Sequence, residues 1–434
     1  MNDTIFALSS APGRAGVAVI RVSGPRARTV AEALSGGALP PPRLAAVRFF
    51  RDGAGRPIDQ GLLLWFEGPA SFTGEDMAEF HLHGGRWIVE VTLEELGSVL
   101  RCRPAEAGEF TRRAVENGKL DLTRAEAIAD LIDAETEAQR RQALRQYRGV
   151  LTDLYDEWRE RLIAVLAWVE AEIDFSDEEL PDGNLARARR EVFEIIVHIE
   201  NHLNDSHRGE IVRDGIFLTV IGAPNSGKSS LINALSKRDV AIVAETPGTT
   251  RDIIEVRMNI AGWLVIAADT AGLRQSSDPV EREGMRRALA QADHSNIVLL
   301  LLDGSSPDPF AGLPDGIRAD LVVWNKADLP WPAPREGSAI CAKSGSLAEL
   351  LVALQEKIAA KLDTEREAPV LTRARYRRAL EEALAALRRG ADMPDAELFA
   401  EDLRLAVRAI GRITGRVDVE ELLDVVFRDF CIGK

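Results

Sequence analysis

The octapeptide Gly222-Ala223-Pro224-Asn225-Ser226-Gly227-Lys228-Ser229 has the spacing G-x-x-x-x-G-K-[ST], and no other feature constrains this chain more. An apolar run, Phe217 to Ile221, precedes it, and a helical pattern, Leu231 to Leu235, follows it. The segment therefore predicts a buried strand, a tight loop and a helix whose N-terminus faces the loop. Glycines let such a loop curl its N–H groups around phosphate oxygens, and the helix dipole favours the negative charge. Lys228 is placed to reach β- and γ-phosphates, and the Ser229 hydroxyl to hold Mg²⁺. Further apolar runs at Leu264 to Ala268, Ile297 to Leu302 and Leu321 to Trp324 alternate with helical stretches. Residues 211–362 thus read as a parallel sheet covered by helices.

Three segments at strand ends specify the base and the chemistry. Asp269-Thr270-Ala271-Gly272 follows the second run; its carboxylate can bind Mg²⁺ through water, and its glycine N–H can sense a γ-phosphate. Asn325-Lys326-Ala327-Asp328 ends the last run. The Asp328 carboxylate can accept both N1–H and N2–H of guanine, which adenine does not offer. Gly248-Thr249-Thr250-Arg251-Asp252 lies between, where a switch loop belongs, and Thr250 can complete a Mg²⁺ shell. Open α/β sheets bind ligands at the carboxyl ends of strands, where these segments fall. The region reads as a GTP-binding domain. A water-orienting Gln after D-x-x-G is replaced by Leu273, so the attacking water has to be held from elsewhere; Glu281 and Glu283 are the nearby carboxylates.

The rest of the chain has two other textures. Residues 1–118 mix short strands (Ile5 to Leu8, Val17 to Val22, Leu62 to Phe66, Met77 to Leu82) with Gly/Pro turns and a helix after Gly84-Gly85. From about residue 120 the pattern is helical. Thr123 with Glu126 reads as a capping box, and Tyr147, Leu151, Leu154, Trp158, Leu162, Val165 and Val169 form one helix face ended by Pro181. A further helix runs from Leu185 to Leu203, and helical spacing resumes at 365–434. The economical organisation is a folded N-terminal domain (1–118), a helical domain in two parts (119–210 and 363–434) and the α/β domain (211–362) inserted between them.

Composition removes several alternatives. The net charge of −15 makes the chain a poor general polyanion binder, so a nucleic-acid contact needs a local basic patch. Three cysteines cannot build a disulfide framework, which points to a reducing cytoplasm. No signal-peptide pattern or membrane-length apolar run is present, and no membrane partner is expected. Lysine occurs 8 times in the whole chain, so each surviving lysine is of interest where a compact point charge is needed.

These motifs, with Ala18-Val19-Ile20-Arg21-Val22-Ser23-Gly24, Lys119-Leu120-Asp121-Leu122, Ala125 to Ile132 and the terminal Phe430-Cys431-Ile432-Gly433-Lys434, resemble the MnmE (TrmE) family of tRNA-modifying GTPases over essentially the whole chain. The resemblance implies a multidomain α/β protein: a P-loop GTPase domain inserted in a helical domain, plus an N-terminal α+β domain that binds a tetrahydrofolate and dimerises. It implies a homodimer and K⁺-activated GTP hydrolysis. It also implies a heterotetramer with an FAD-dependent partner, MnmG (GidA), that installs an aminomethyl or carboxymethylaminomethyl group on the wobble uridine of certain tRNAs. GTP would be held by Asn225, Ser226, Gly227, Lys228, Ser229, Ser230, Thr249, the segment Asp269 to Gly272, Asn325, Lys326, Asp328 and Ala342. Mg²⁺ would lie on Ser229 and Thr250, and K⁺ on Asn225, Ala244, Thr246 and Thr249. Glu281 would position water, with Lys228 and Thr250 as its catalytic partners. Arg21, Glu79, Lys119 and Lys434 would contact the folate, and Cys431 would lie near the one-carbon chemistry.

Two departures and two alternatives accompany this reading. Cys341-Ala342-Lys343 stands where Ser-Ala-Lys or Ser-Ala-Arg is usual, and Ala223 replaces a bulkier residue. His81 and His83 alternate on a strand without further ligands, which favours no metal. One alternative is a GTP-driven scaffold switch in ribosome or tRNA maturation without modification chemistry. The other is direct tRNA binding by the basic run Arg373, Arg375, Arg377, Arg378, Arg388 and Arg389, although such a run is more often a solvated helix face.

Overall fold

A computed structural model describes residues 3–174, 184–237, 241–242, 255–268, 295–314, 316–332, 337–362, 369–417, 420–428 and 430–433. The chain forms two compact units, one of residues 1–129, 146–188 and 392–434, the other of residues 130–145 and 189–391. No helix among the described residues is long and apolar enough to cross a membrane.

The first unit is built on a mixed sheet of strands β1 (Ile5–Leu8), β2 (Ala15–Ser23), β3 (Ala46–Arg51), β4 (Pro57–Phe66), β5 (Met77–Gly84) and β6 (Arg103–Pro104), in the order β3-β4-β5-β2-β1-β6. Strand alternation divides the sheet into two faces. Ile20, Val22, Phe50, Leu63, Trp65, Phe80 and Leu82 bury one face together with Val30 and Leu34 of the helix Ala27–Ser35. The opposite face carries Val19 and Arg21 of β2 beside His81 and Glu79 of β5. The edge strand β3 escapes the sequence pattern because its exposures alternate weakly and Phe49 stays half-exposed.

The helix Val150–Asp174 packs along Ala396–Thr414 in this unit, burying Trp158, Leu162 and Val165 from one and Phe399, Leu403 and Ile410 from the other. The Asp395 carboxylate caps the latter by accepting from Glu397 and Leu398 N–H. At Leu122–Ile132 the cap is Asp121 rather than Thr123. The Asp121 carboxylate accepts from Arg124 N–H at 3.0 Å and from the Thr123 hydroxyl at 2.7 Å, while Thr123 also meets Thr152. Pro181 lies outside the described residues.

In the second unit the strands are β7 (Ile216–Ile221), β8 (Glu255–Ile260), β9 (Trp263–Ala268), β10 (Ile297–Asp303), β11 (Leu321–Asn325) and β12 (Ser338–Ala339), ordered β12-β11-β10-β7-β9-β8. Five run parallel; β8 pairs antiparallel with β9 and extends the expected parallel sheet by an edge strand. Its signal is period-two burial of Val256, Met258 and Ile260. The connection Ala261-Gly262 has φ of 52° and 89°, the positive pair that a two-residue hairpin of matching twist requires. Leu299, Leu301 and Val220 form the sheet's buried centre, packed with Leu231 and Leu235 of Lys228–Ser236 and Leu350 and Leu354 of Ala348–Leu362.

A buried ionic cluster ties the first unit's helix Glu109–Glu116 to its sheet. The Arg113 side chain is 1% exposed and donates to Asp3 at 2.8 Å, Glu75 at 3.1 Å and Glu109 at 2.9 Å, and Arg103 adds a 2.6 Å bond to Glu109. Burial pushes the Glu109 carboxyl up, but the hydrogen bonds from Arg103, Glu106 N–H and Arg113 outweigh it and hold the group below its ordinary range. A depressed carboxylate stabilises the fold above the ordinary value of 4.5, and that contribution is lost as pH falls through the folded value. Glu109→Gln is expected to cost about 3 kcal/mol, because it leaves Arg113 buried and short of a counter-charge. Urea unfolding at pH 7 measures the loss, and the gap to the unaltered protein should narrow once the pH falls below that of the folded carboxyl.

Candidate functional site

Two constellations emerge, one in each unit. In the second, β7 runs into the loop 222–227 and the helix Lys228–Ser236. Two loop positions require left-handed backbone, Asn225 at φ 59° and Gly227 at φ 101°. A Cβ on Gly227 would lie 2.1 Å from Asn325 Nδ2, and one on Gly222 would lie 2.4 Å from the Leu301 carbonyl oxygen. The glycines are therefore demanded by close approach of neighbouring strand ends as well as by the turn. Lys228 Nζ donates to the carbonyls of Gly222 at 2.8 Å and Ala223 at 2.9 Å, so its ammonium lies over the loop. Ser229 and Ser230 open the helix with exposed side chains, and Asn225 is exposed at the loop's rim. The Ser226 hydroxyl is fully buried, with no hydrogen-bond partner among the described residues.

Asn325 joins this loop to the segments that follow β11 and β12. Its Nδ2 donates to the Ser226 carbonyl at 2.8 Å, and its Oδ1 accepts the Ala342 N–H at 3.0 Å. One side chain thereby aligns the phosphate loop, the Asn325-to-Asp328 turn and the Cys341-to-Lys343 loop. Lys326 has φ 63° and its ammonium meets Asp303 Oδ2 at 2.6 Å. Burial pushes Asp303 up, yet the bonds from Lys326 and Ser305 leave its carboxyl below the ordinary range. Asp303 was not singled out in the sequence; its place at the end of β10, level with Asn325 of β11, is the signal that marks it. The geometry fits a nucleotide with Mg²⁺: a glycine cradle, a lysine over it, a helix N-terminus and an exposed hydroxyl at Ser229. Ala244, Thr246, Thr249, Thr250, Asp269, Thr270, Ala271, Gly272 and Glu281 lie outside the described residues.

The second constellation occupies the open face of the first unit's sheet. Arg21 and Glu79 are direct cross-strand partners, joined by Nε at 3.1 Å and Nη2 at 2.8 Å to one carboxylate oxygen, with both side chains 15% exposed. The guanidinium lies 5.4 Å from the Phe72 ring centroid and 5.6 Å from that of Phe110, a cationic floor between two aromatic walls. Glu79 also meets His81 Nε2 at 3.4 Å, and His83 pairs with Asp59 at 2.9 Å, so the two histidines have separate carboxylate partners. Lys119 Nζ donates to the Pro69 carbonyl at 3.0 Å, in the loop that also carries Phe72.

The C-terminal tail closes on the same sheet. Ile432 pairs with Ala107, Gly108 N–H donates to the Cys431 carbonyl at 3.3 Å, and Ser9 Oγ donates to the Gly433 carbonyl at 2.9 Å. Gly433 has φ 96°, and a Cβ there would sit 2.4 Å from the Leu8 carbonyl. Leu8 follows Ala7, the cross-strand partner of Arg21. Cys431 is exposed. Lys434 lies outside the described residues. The basic run is largely committed internally: Arg373 pairs with Asp130, Arg377 with Asp205 and Arg388 with Glu200.

The second unit therefore defines a P-loop nucleotide-binding protein of the open α/β class. The family model described as "MnmE helical domain" matches residues 122–431, and that described as "GTP-binding protein TrmE N-terminus" matches residues 4–119. The tRNA modification GTPase MnmE of Maricaulis maris is 51% identical over 439 residues, and that of Paramagnetospirillum magneticum 52% identical over 442, each covering 100% of both chains. The protein of the same name from Parvibaculum lavamentivorans is 50% identical over 440 residues, again end to end. The chain belongs to the MnmE family.

Gly227→Ala tests the cradle. Its left-handed backbone and its contact with Asn325 leave no room for a methyl group, so GDP affinity measured by calorimetry should fall at least about tenfold, a loss of about 1.4 kcal/mol.

Proposed function

We propose that this chain is a GTPase of tRNA modification in the cytoplasm, working as a homodimer. The end-to-end correspondence with MnmE relatives carries the reading. It is supported by a phosphate cradle, a base-reading turn and a separate cationic face in one chain. The domain plan is 1–118 for folate and dimer contacts, 119–210 and 363–434 helical, and 211–362 for GTP. The one-carbon unit comes from a tetrahydrofolate derivative, the redox chemistry from FAD on an MnmG-type partner, and the product is an aminomethyl or carboxymethylaminomethyl group on the wobble uridine.

In this reading the loop 222–227 wraps the phosphates and Lys228 balances their charge. Ser229, Thr250 and Asp269 would hold Mg²⁺, and Asn225, Ala244, Thr246 and Thr249 would hold K⁺. The two cations would supply charge stabilisation to the phosphates. Glu281 orients the attacking water, a task that Leu273 cannot perform. Thr270, Ala271 and Gly272 follow the γ-phosphate, and Asp328 with Ala342 N–H reads guanine. On the first unit's face, Arg21 and Lys119 present cations to the carboxylates of a folate while Phe72 and Phe110 offer ring faces. Glu79 can accept from N–H groups of the pterin, and Lys434 completes the set beside Cys431.

Replacing K⁺ by Na⁺ should slow GTP hydrolysis by at least about tenfold, equivalent to about 1.4 kcal/mol of barrier; equal rates would remove the role given to Asn225. Glu281→Ala should retain GDP binding and lose about 10²–10³ in kcat, the range for a positioned acid–base group. Mass-spectrometric nucleoside analysis of tRNA from cells lacking the chain should show the wobble-uridine modification gone, and its persistence would overturn the proposal.

A further inference from the structure

Both arms of the hairpin β8–β9 run into segments assigned to the nucleotide. β8 starts at Glu255, just after Gly248 to Asp252, and β9 ends at Ala268, just before Asp269. A third segment joins the hairpin. Ala241 bridges to Met258, and Ile242 N–H donates to the Arg257 carbonyl at 2.8 Å, immediately before the stretch that carries Ala244 and Thr246. The far end of the hairpin, the turn Ala261-Gly262, meets residues 130–145, which precede the α/β region in sequence yet fold into the same compact unit.

This contact has two parts. The Arg257 guanidinium forks onto Glu135, with Nη2 at 2.8 Å from one carboxylate oxygen and Nε at 3.1 Å from the other. The Gly262 carbonyl accepts Ala138 N–H at 3.1 Å. Ala138 is the second residue of the helix Glu137–Tyr147, and the first N–H groups of a helix have no partner inside it. Just before that start, Gln139 Oε1 accepts from Glu135 N–H at 3.0 Å and from Thr136 N–H at 3.2 Å, a reach-back of the capping-box kind. Ala138 N–H takes the hairpin turn instead.

Burial separates the fixed contacts of this helix from the movable one. Gln139 is 8% exposed, and its Nε2 donates to the Arg213 carbonyl at 2.9 Å, while Gln142 Nε2 donates to the Gly209 carbonyl at 2.8 Å. These bonds hold the helix to Arg208–Asp214, which leads into β7. The Glu135–Arg257 pair lies nearer to water, with side chains 29% and 33% exposed. Exposed pairs contribute little and exchange readily for water, whereas a buried amide that loses its partner strands a polar group. The hairpin can therefore part from the helix while the helix keeps its seat.

We propose that Glu135, Ala138 and the β8–β9 hairpin form a latch that reports the nucleotide's state to residues 130–145, closed with GDP and open when the flanking segments gather around a transferring phosphoryl group. The proposal rests on the reading of those segments as phosphate and cation ligands. Because both arms of the hairpin enter them directly, drawing them to the phosphates pulls on the whole two-stranded ribbon and so on its far end. A ligand shifts an equilibrium only through interactions that differ between the two states, and the latch supplies that difference.

Amide hydrogen exchange of the full-length protein, resolved to single residues by mass spectrometry, reads the latch at Ala138. GDP is compared with GDP plus aluminium fluoride, both with Mg²⁺ and K⁺. Ala138 N–H is expected to exchange at least about fivefold faster in the fluoride state, while Glu135 and Thr136 N–H, held by Gln139, keep their rates. Arg257→Ala and Glu135→Gln should each make Ala138 exchange fast in both states. Both should leave GTP hydrolysis within about twofold, the usual span of an exposed substitution, since the bond to Ile242 is made by the Arg257 backbone. The paired reversal Glu135→Arg with Arg257→Glu should restore the nucleotide dependence, which a loss of general stability would not allow. Ala138 exchange that is equal or slower in the fluoride state, with the loop 222–227 protected in both, overturns the latch and leaves the GTPase reading standing. A loop 222–227 that gains no protection from GDP overturns the nucleotide reading itself. Should one single variant fail to fold, the other and the paired reversal still decide the outcome.

Discussion

The nucleotide end of this protein depends on one buried amide. Asn325 is 3% exposed, and it gives its donor to the Ser226 carbonyl and its acceptor to the Ala342 N–H. Neither group can turn to water, so breaking either bond would strand a polar atom at a cost of about 1–3 kcal/mol. The chain has no covalent crosslink in this region, so a planar side chain with one donor edge and one acceptor edge does the work of a fixed spacer. Gly227 belongs to the same arrangement. Its missing side chain is the space into which the Asn325 amide fits, and its left-handed backbone turns the loop back toward the helix.

The same economy appears in the first unit with different chemistry. A two-faced sheet has one side committed to apolar packing by residues of one parity, which leaves the other parity free to carry polar side chains. Arg21 and Glu79 are on that second face because Ile20, Val22, Ala78 and Phe80 are buried on the first. The Arg113 cluster, by contrast, is enclosed: its side chain is 1% exposed and its Nη atoms face three carboxylates. The physical difference between the two arrangements is therefore one of burial and of the number of carboxylates gathered around one cation. Arg21 has one carboxylate partner and two aromatic neighbours, an environment that stacking and further anions can still use.

Much of this was legible in the order of residues, for reasons that can be named. The phosphate loop was readable because glycine at positive φ and lysine at a helix start are local requirements, and both sit in one octapeptide. The buried strands were readable because β10, at Ile297–Asp303, is apolar at six consecutive positions, as a strand covered on both faces must be. Strands β3 and β8 were not, since an edge strand needs only half-buried alternation and Phe49 or Arg257 can point outward. The Thr123 cap was misread because Asp121, two residues earlier, accepts the Arg124 N–H, and the Thr123 hydroxyl is engaged by Asp121 and by Thr152, 29 residues away in sequence. The Asp303–Lys326 pair and the Asn325 bridge join segments 17 to 99 residues apart in sequence, which are adjacent only once the sheet has formed. No window of sequence contains them.

The distribution of cations closes the argument. Arginine supplies the two-pronged contacts, as in Arg21 to Glu79 and Arg103 to Glu109, where a rigid fork matches a carboxylate. Lysine supplies single-point contacts: Lys228 Nζ on two loop carbonyls, Lys326 Nζ at Asp303, and Lys119 Nζ at the Pro69 carbonyl. Lys357 and Lys361 face Asp320 at 4.0 and 3.4 Å with side chains 36% and 44% exposed, away from either constellation. A chain with few lysines thus places three of them, as compact ammonium groups on oxygen acceptors, in the two constellations.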